Sequence, residues 1–120
     1  MERLRILGMG RKPQKNYSLP GSLDMLILKI LTREKLHGYA IVQRIRQHSG
    51  DEILIEEGSL YPALQRLELN GWIDGEWGLS TANRRARIYQ LTASGRKQLT
   101  RETQRYKQLT LAIQRVMGMG

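Results

Sequence analysis

From Ala93 to Met117 the sequence reads as one long helix, entered through a capping threonine at Thr92. A helix of about 25 residues runs ~37 Å, which is more than the roughly 75-residue module before it can cover. Along it Leu99, Tyr106, Leu109, Ile113 and Val116 recur at spacings of seven, three, four and three, a heptad seam in which Glu102 spoils one position. Such a face either folds back on its own domain or seeks another chain, and the length of the helix argues that part of the seam meets a partner. We therefore expect a homodimer joined through Leu99, Tyr106, Leu109, Ile113 and Val116.

The segments ahead of that helix are short and clearly punctuated. Ser22 can cap a helix from about Leu23 to Thr32, with so many apolar positions that most of its sides should be buried. His37-Gly38-Tyr39 opens a second helix reaching about Ser49, on which Tyr39, Val42 and Ile45 repeat at helical spacing and Gly50 is the stop. Ile53, Leu54 and Ile55 form either a turn packing on the core or a brief strand. Ser59 then caps a third helix that tolerates Pro62 in its first turn, buries Leu60, Ala63, Leu64 and Leu67, and stops at Asn70-Gly71. Trp72–Trp77 and Arg85–Leu91 read as two strands of a hairpin with a long tip, separated by Gly78 and the polar stretch Ser80–Arg84.

Three short helices, a hairpin and a long helix predict a mostly α fold with a two-stranded β wing, a winged helix-turn-helix extended by a C-terminal dimerisation helix. The domain boundaries that follow are a basic N-terminal arm over residues 1–17, the winged module over 18–92, and the dimerisation helix over 93–120. The arm holds Arg3, Arg5, Arg11, Lys12 and Lys15 against the single acid Glu2, and Gly8, Gly10 and Pro13 interrupt any helix there. A basic arm with a short helical turn at Leu4–Leu7 and a plain disordered tail are equally good readings of it.

Charge narrows the function. The chain has 120 residues with 20 Lys and Arg against 11 Asp and Glu, a formal net charge of +9, and so favours polyanions, nucleic acid first. It has no Cys, which removes disulfides, thiolate catalysis and cysteine-based zinc sites and suits a cytoplasmic, nucleoid-associated protein. The apolar run Leu23–Leu31 is too short to span a bilayer, so no membrane partner is expected. His37 and His48 have no metal-ligand spacing, and no constellation for catalysis or for a cofactor is found. We expect no enzyme, no cofactor and no metal.

Placed in this fold, the third helix is the natural reader of double-stranded DNA. With Leu60, Leu64 and Leu67 inward, its N-terminal turn and a half directs Ser59, Tyr61, Pro62, Gln65 and Arg66 outward. Arg pairs with guanine and Gln with adenine, while Tyr can meet a phosphate or pack on sugar. The competing reading has Tyr61 completing the core and the polar residues on a solvated face. At the hairpin, Arg84, Arg85 and Arg87 belong to a stretch from Trp77 to Arg101 with six cations and no acid, a composition suited to phosphates. Asp51, Glu52, Glu56 and Glu57 oppose this picture and should point away from DNA or meet basic residues. Trp72 and Trp77 could frame an aromatic ligand, but hairpin packing is the better reading.

Gly58-Ser59-Leu60-Tyr61-Pro62-Ala63-Leu64 resembles the PadR family of bacterial transcriptional regulators. The likeness continues through Arg66-Leu67-Glu68, Asn70-Gly71-Trp72-Ile73 and Arg87-Ile88-Tyr89-Gln90-Leu91-Thr92-Ala93-Ser94-Gly95, and His37-Gly38-Tyr39-Ala40-Ile41 resembles the family's second helix. The resemblance implies a homodimer that represses transcription at a palindromic operator, with Tyr61 in the place of the family's DNA-facing tyrosine. It also implies release by a small aromatic effector. Some relatives hold flat ligands between Trp residues of the last helix, which has none here, so that site is not carried over. The alternative from another class is a winged-helix module that binds protein or RNA.

Overall fold

The computed structural model describes residues 22–119; the basic arm expected over 1–17 lies outside them. Four helices and three strands follow in the order α1 (Ser22–Ile30), β1 (Leu36–His37), α2 (Gly38–His48), α3 (Glu57–Leu69), β2 (Ile73–Leu79), β3 (Arg85–Leu91) and α4 (Ala93–Met117). This is a winged helix-turn-helix followed by a long helix, the architecture predicted from the sequence.

The core forms where α1, α2 and α3 converge under the sheet. Ile27 and Leu28 of α1, Ile41 of α2, Ala63 and Leu67 of α3 and Ile73 of β2 have no exposed surface. On α1 only Lys29 is well exposed, as its crowded apolar sequence requires. Its end tightens: Thr32 donates its backbone N–H to the Lys29 carbonyl at 3.1 Å and its hydroxyl to the same oxygen at 2.6 Å, so the helix closes just short of the expected Thr32.

Four local expectations are corrected. His37 stands just ahead of α2 rather than in it, and with Leu36 it pairs antiparallel with β3, opposite Ile88 and Tyr89, giving a three-stranded sheet in the order β1-β3-β2. Two residues carry no alternation to read. Tyr39 is 62% exposed, because α2 buries Ala40, Ile41 and Ile45 instead of a stripe through Tyr39. Ser59 is not a cap: α3 begins at Glu57, and the Glu56 carbonyl already accepts from the N–H of Ser59 at 3.0 Å and Leu60 at 2.9 Å. Pro62 therefore lies in the second turn, where its missing N–H leaves the Gly58 carbonyl without its helical donor. Gly58 and Pro62 are both exposed, so water can meet that oxygen. Lastly, β2 starts at Ile73 and continues to Leu79, since Gly78 pairs with Ala86 rather than opening the turn. The tip closes through Ser80 N–H to the Arg84 carbonyl at 2.8 Å, with Asn83 at a φ of 61°. The Ile53–Ile55 run is not a strand; Ile55 packs into the core from a loop.

Thr92 caps α4 as predicted, its Oγ1 accepting from Gly95 N–H at 2.9 Å. The same hydroxyl donates to the Gly71 carbonyl at 2.7 Å, and its backbone N–H to the Trp72 carbonyl at 3.1 Å. One residue thus ties the start of the long helix to the base of the hairpin.

Candidate nucleic-acid interface

Helix α3 buries Leu60, Ala63, Leu64 and Leu67 and leaves Ser59, Tyr61, Pro62, Gln65 and Arg66 exposed. Tyr61, 49% exposed, is neither core nor free. Its ring lies across Gly38: a Cβ built there would stand 3.3 Å from Tyr61 Cε1 and 3.4 Å from its hydroxyl. Glycine at 38 lets α3 lay its tyrosine against the first turn of α2. That turn contains no acid, and His37 before it gives no side-chain cap. Tyr61 therefore holds a hydroxyl beside uncapped, partially positive helix N–H groups, an arrangement that suits a phosphate oxygen.

Arg66, though exposed, also makes a contact within the fold. Its Nη2 lies 2.6 Å from Oδ1 of Asp24, which is largely covered, and the pair bolts α3 to α1. Neither partner's role was read from the sequence, since the two are far apart along it.

The hairpin has two unlike faces. The register sets Trp77 opposite Arg87 and Leu79 opposite Arg85 on one face, and Asp74 opposite Gln90 and Glu76 opposite Ile88 on the other. Cations and acids are thereby sorted to opposite sides of a single ribbon. Arg87 reaches Glu68 on α3 at 2.6 Å, so the cationic face is the one beside the exposed helix. Its route passes over Gly75, where a Cβ would sit 2.7 Å from Arg87 Nε. A glycine inside a strand signals such a close approach and is the one sequence feature that could have revealed this contact. Arg85 stacks on Trp77, 4.6 Å from the ring centre, and Arg87 flanks it at 5.6 Å. Arg84 is exposed at the tip. Beneath them, burial pushes the Tyr89 phenol above its usual pKa; Glu68 and the neighbouring Tyr61 push the same way, while Arg87 opposes them.

Of the four acids around the start of α3, Asp51 pairs with Arg46 at 3.1 Å. Glu52, Glu56 and Glu57 are exposed and form no ion pair among the described residues. Glu57, in the first turn of α3, complements the helix dipole. Among the described residues no group of three or more His, Asp or Glu could hold a metal ion, and no helix is long and apolar enough to cross a membrane.

Helix α4 carries one stripe with two environments. Gly95 and Gln98 are buried and Leu99 packs against the core. Glu102, the residue that interrupts the seam, lies half-buried and accepts from Gln98 Nε2 at 2.9 Å. On the same helical face beyond it, Tyr106, Leu109, Ile113 and Val116 are 46 to 86% exposed. The stripe begins on its own domain and continues into solvent.

Comparison with known proteins agrees with this geometry. The model of the PadR-like family of transcriptional regulators matches residues 27–101. An uncharacterised protein of Lysinibacillus sphaericus is 30% identical over 80 residues, 67% of this chain and 73% of that one. Among solved structures, a transcriptional regulator from Clostridium thermocellum superposes with a TM-score of 0.73 at 30% identity, covering 80% of this chain and 93% of its own. A PadR family transcriptional regulator from Eggerthella lenta does so with a TM-score of 0.71 at 30% identity, over 84% and 86%.

Proposed function

The chain belongs to the PadR-like family, whose members are DNA-binding transcriptional regulators and not enzymes, and from that premise we propose that it is a homodimeric repressor acting at a palindromic operator. The observation that carries this reading is the α4 stripe. Its uncovered half, Tyr106 to Val116, is an apolar surface on a helix that has run past its own domain, and a second copy of the same helix is the surface that matches it. Two copies related by a twofold axis present two α3 helices to one duplex, and a duplex that satisfies both is an inverted repeat.

Within each half-site, Tyr61, Pro62 and Gln65 enter the major groove, with Ser59 at the rim of the same turn. Gln65 reads a base edge and Tyr61 meets a phosphate. Arg84 and Arg85 lie along the backbone, while Arg66 and Arg87, held by Asp24 and Glu68, fix the helix and wing that do the reading. The +9 formal charge supplies the general attraction. The protein acts on DNA in the cytoplasm. A small aromatic effector completes the proposal. The apolar groove of about 370 Å³ between α1 and α2, lined by Leu26, Ile30, Ile45 and Ile53, is where it is to be sought.

Selection of bound duplexes from a random pool, followed by stoichiometry on the winning sequence, tests the reading. The expected result is an inverted repeat with half-sites about one DNA turn apart, ~34 Å, bound by two chains. Placed over a promoter in a reporter strain, that sequence should lower transcription when the protein is supplied. Selection of no duplex, or of one asymmetric site bound by a single chain, refutes it and favours a protein- or RNA-binding module.

A further inference from the structure

Trp77 packs within the hairpin, against Arg85 and Arg87 of β3, yet stays largely in solvent. It is 60% exposed, and Leu79, two residues nearer the tip on the same face, is 66% exposed. Guanidinium groups of β3 flank the indole, Arg85 4.6 Å and Arg87 5.6 Å from the ring centre. A stacked guanidinium keeps its in-plane N–H groups free to donate. The face therefore offers an apolar plate, an apolar neighbour and a pre-aimed cation within one short piece of ribbon. Its acids, Asp74 and Glu76, are on the opposite side. The surface it fits is anionic at intervals and apolar between them. Duplex DNA has that character along a groove wall, where phosphates alternate with deoxyribose edges.

We propose that Trp77 and Leu79 form a non-ionic grip on double-stranded DNA, packing on sugar edges of the groove beside the one entered by α3, while Arg85, held on the indole, takes the adjoining phosphate. The assignment rests on the DNA-binding reading above and adds residues to it. It separates two contributions within one wing. The arginine acts through counterion release and weakens as salt rises, and the indole acts through packing and does not.

The experiment is a salt series of affinities for the full-length protein on its selected operator and on random duplex. Trp77→Ala should weaken binding about tenfold on both duplexes, with the slope of log affinity against log salt unchanged. Arg85→Ala should make that slope shallower by about one unit, and Trp77→Phe should recover most of the loss. A second measurement covers the case in which Trp77→Ala does not fold: with Trp72→Phe in place, the emission of Trp77 should shift or quench on adding duplex. Wild-type affinity in a stably folded Trp77→Ala protein overturns the proposal while the DNA reading stands. So does a slope that falls as it does for Arg85→Ala, since the indole would then act only by holding the arginine. An unresponsive Trp77 emission in a protein that binds duplex has the same consequence. A wild-type protein that ignores duplex DNA but captures single-stranded RNA or an acidic peptide overturns both.

Discussion

The carboxylate of Glu68 on α3 meets the guanidinium of Arg87 on β3 at 2.6 Å, and this contact joins the exposed helix to the wing. Both groups are about one-third exposed, so the pair is only partly shielded and adds about 1 kcal/mol rather than several. Its greater effect is geometric: it sets the angle between α3 and the wing, the two elements proposed to approach one duplex. Glu68→Gln should lower the melting temperature by about 4–8 °C and weaken operator binding. The sign distinguishes the two roles open to Arg87. If it positions the wing, Glu68→Gln and Arg87→Ala weaken binding alike, and the double variant is no worse than either. If Arg87 contacts phosphate directly, Glu68→Gln releases it and binding tightens. We expect the first outcome in a double-mutant cycle read by duplex affinity.

The uncovered half of the α4 stripe predicts the assembly. Leu109 and Ile113 are about half exposed in the single chain, so changing both to Asp should cost the isolated domain little stability. In a dimer the same changes place charges in an apolar seam. Sedimentation of Leu109→Asp/Ile113→Asp at micromolar concentration should give monomers, with operator affinity falling at least a hundredfold as the second half-site is lost. A dimer of unchanged mass would put the interface elsewhere.

Much of this architecture was legible in the sequence because long periodic segments repeat one message many times. The α3 face through Leu60, Leu64 and Leu67 and the span of α4 are of that kind, and both lie where the pattern puts them. Short or competing signals were not legible. β1 is two residues long and exists only because β3 passes beside it. Ser59 is a strong capping type, yet the Glu56 carbonyl accepts the first helical bonds and the serine is carried into the first turn. At the candidate site, exposure of Tyr61 and Gln65 followed from helical spacing, whereas the commitment of Arg66 to Asp24 and of Arg87 to Glu68 did not. Those are long-range pairings that a linear pattern cannot encode. What Trp77 packs against was not legible for a related reason: strand alternation puts it on a face, but only the cross-strand register brings Arg85 and Arg87 to its ring.

Gly95 provides a test of how the long helix is seated. It is buried at the start of α4, and a Cβ there would run into the Trp72 carbonyl oxygen and stand 2.7 Å from Leu91 Cδ1. A backbone oxygen cannot swing aside as a side chain does, so α4 or the base of the wing must shift. Gly95→Ala gains helix propensity but should still destabilise the protein by about 1–3 kcal/mol. Thermal melting is the measure. A stabilised Gly95→Ala protein would mean that α4 sits further from the hairpin than the structure places it.

The sharpest functional prediction concerns α3 itself. Tyr61 presents a hydroxyl beside the first turn of α2, and Gln65 follows one helical turn later on the same exposed face. The two should fail differently. If the Tyr61 hydroxyl meets a phosphate, Tyr61→Phe removes that contact and should lower affinity modestly and equally for every duplex. Tyr61→Ala also removes the ring that rests on Gly38, so it should cost more, and its melting temperature must be shown to match wild type before the affinity is read. Gln65→Ala touches no core residue. If Gln65 reads a base, repeating the selection with this variant should relax preference at one position of each half-site, by ~1–3 kcal/mol of discrimination, and leave the rest of the operator intact. Relaxation at symmetric positions would assign that base pair to Gln65 in both subunits. A stable Gln65→Ala protein that selects the wild-type operator, together with a Tyr61→Ala protein that binds it equally well, would remove α3 as the reader.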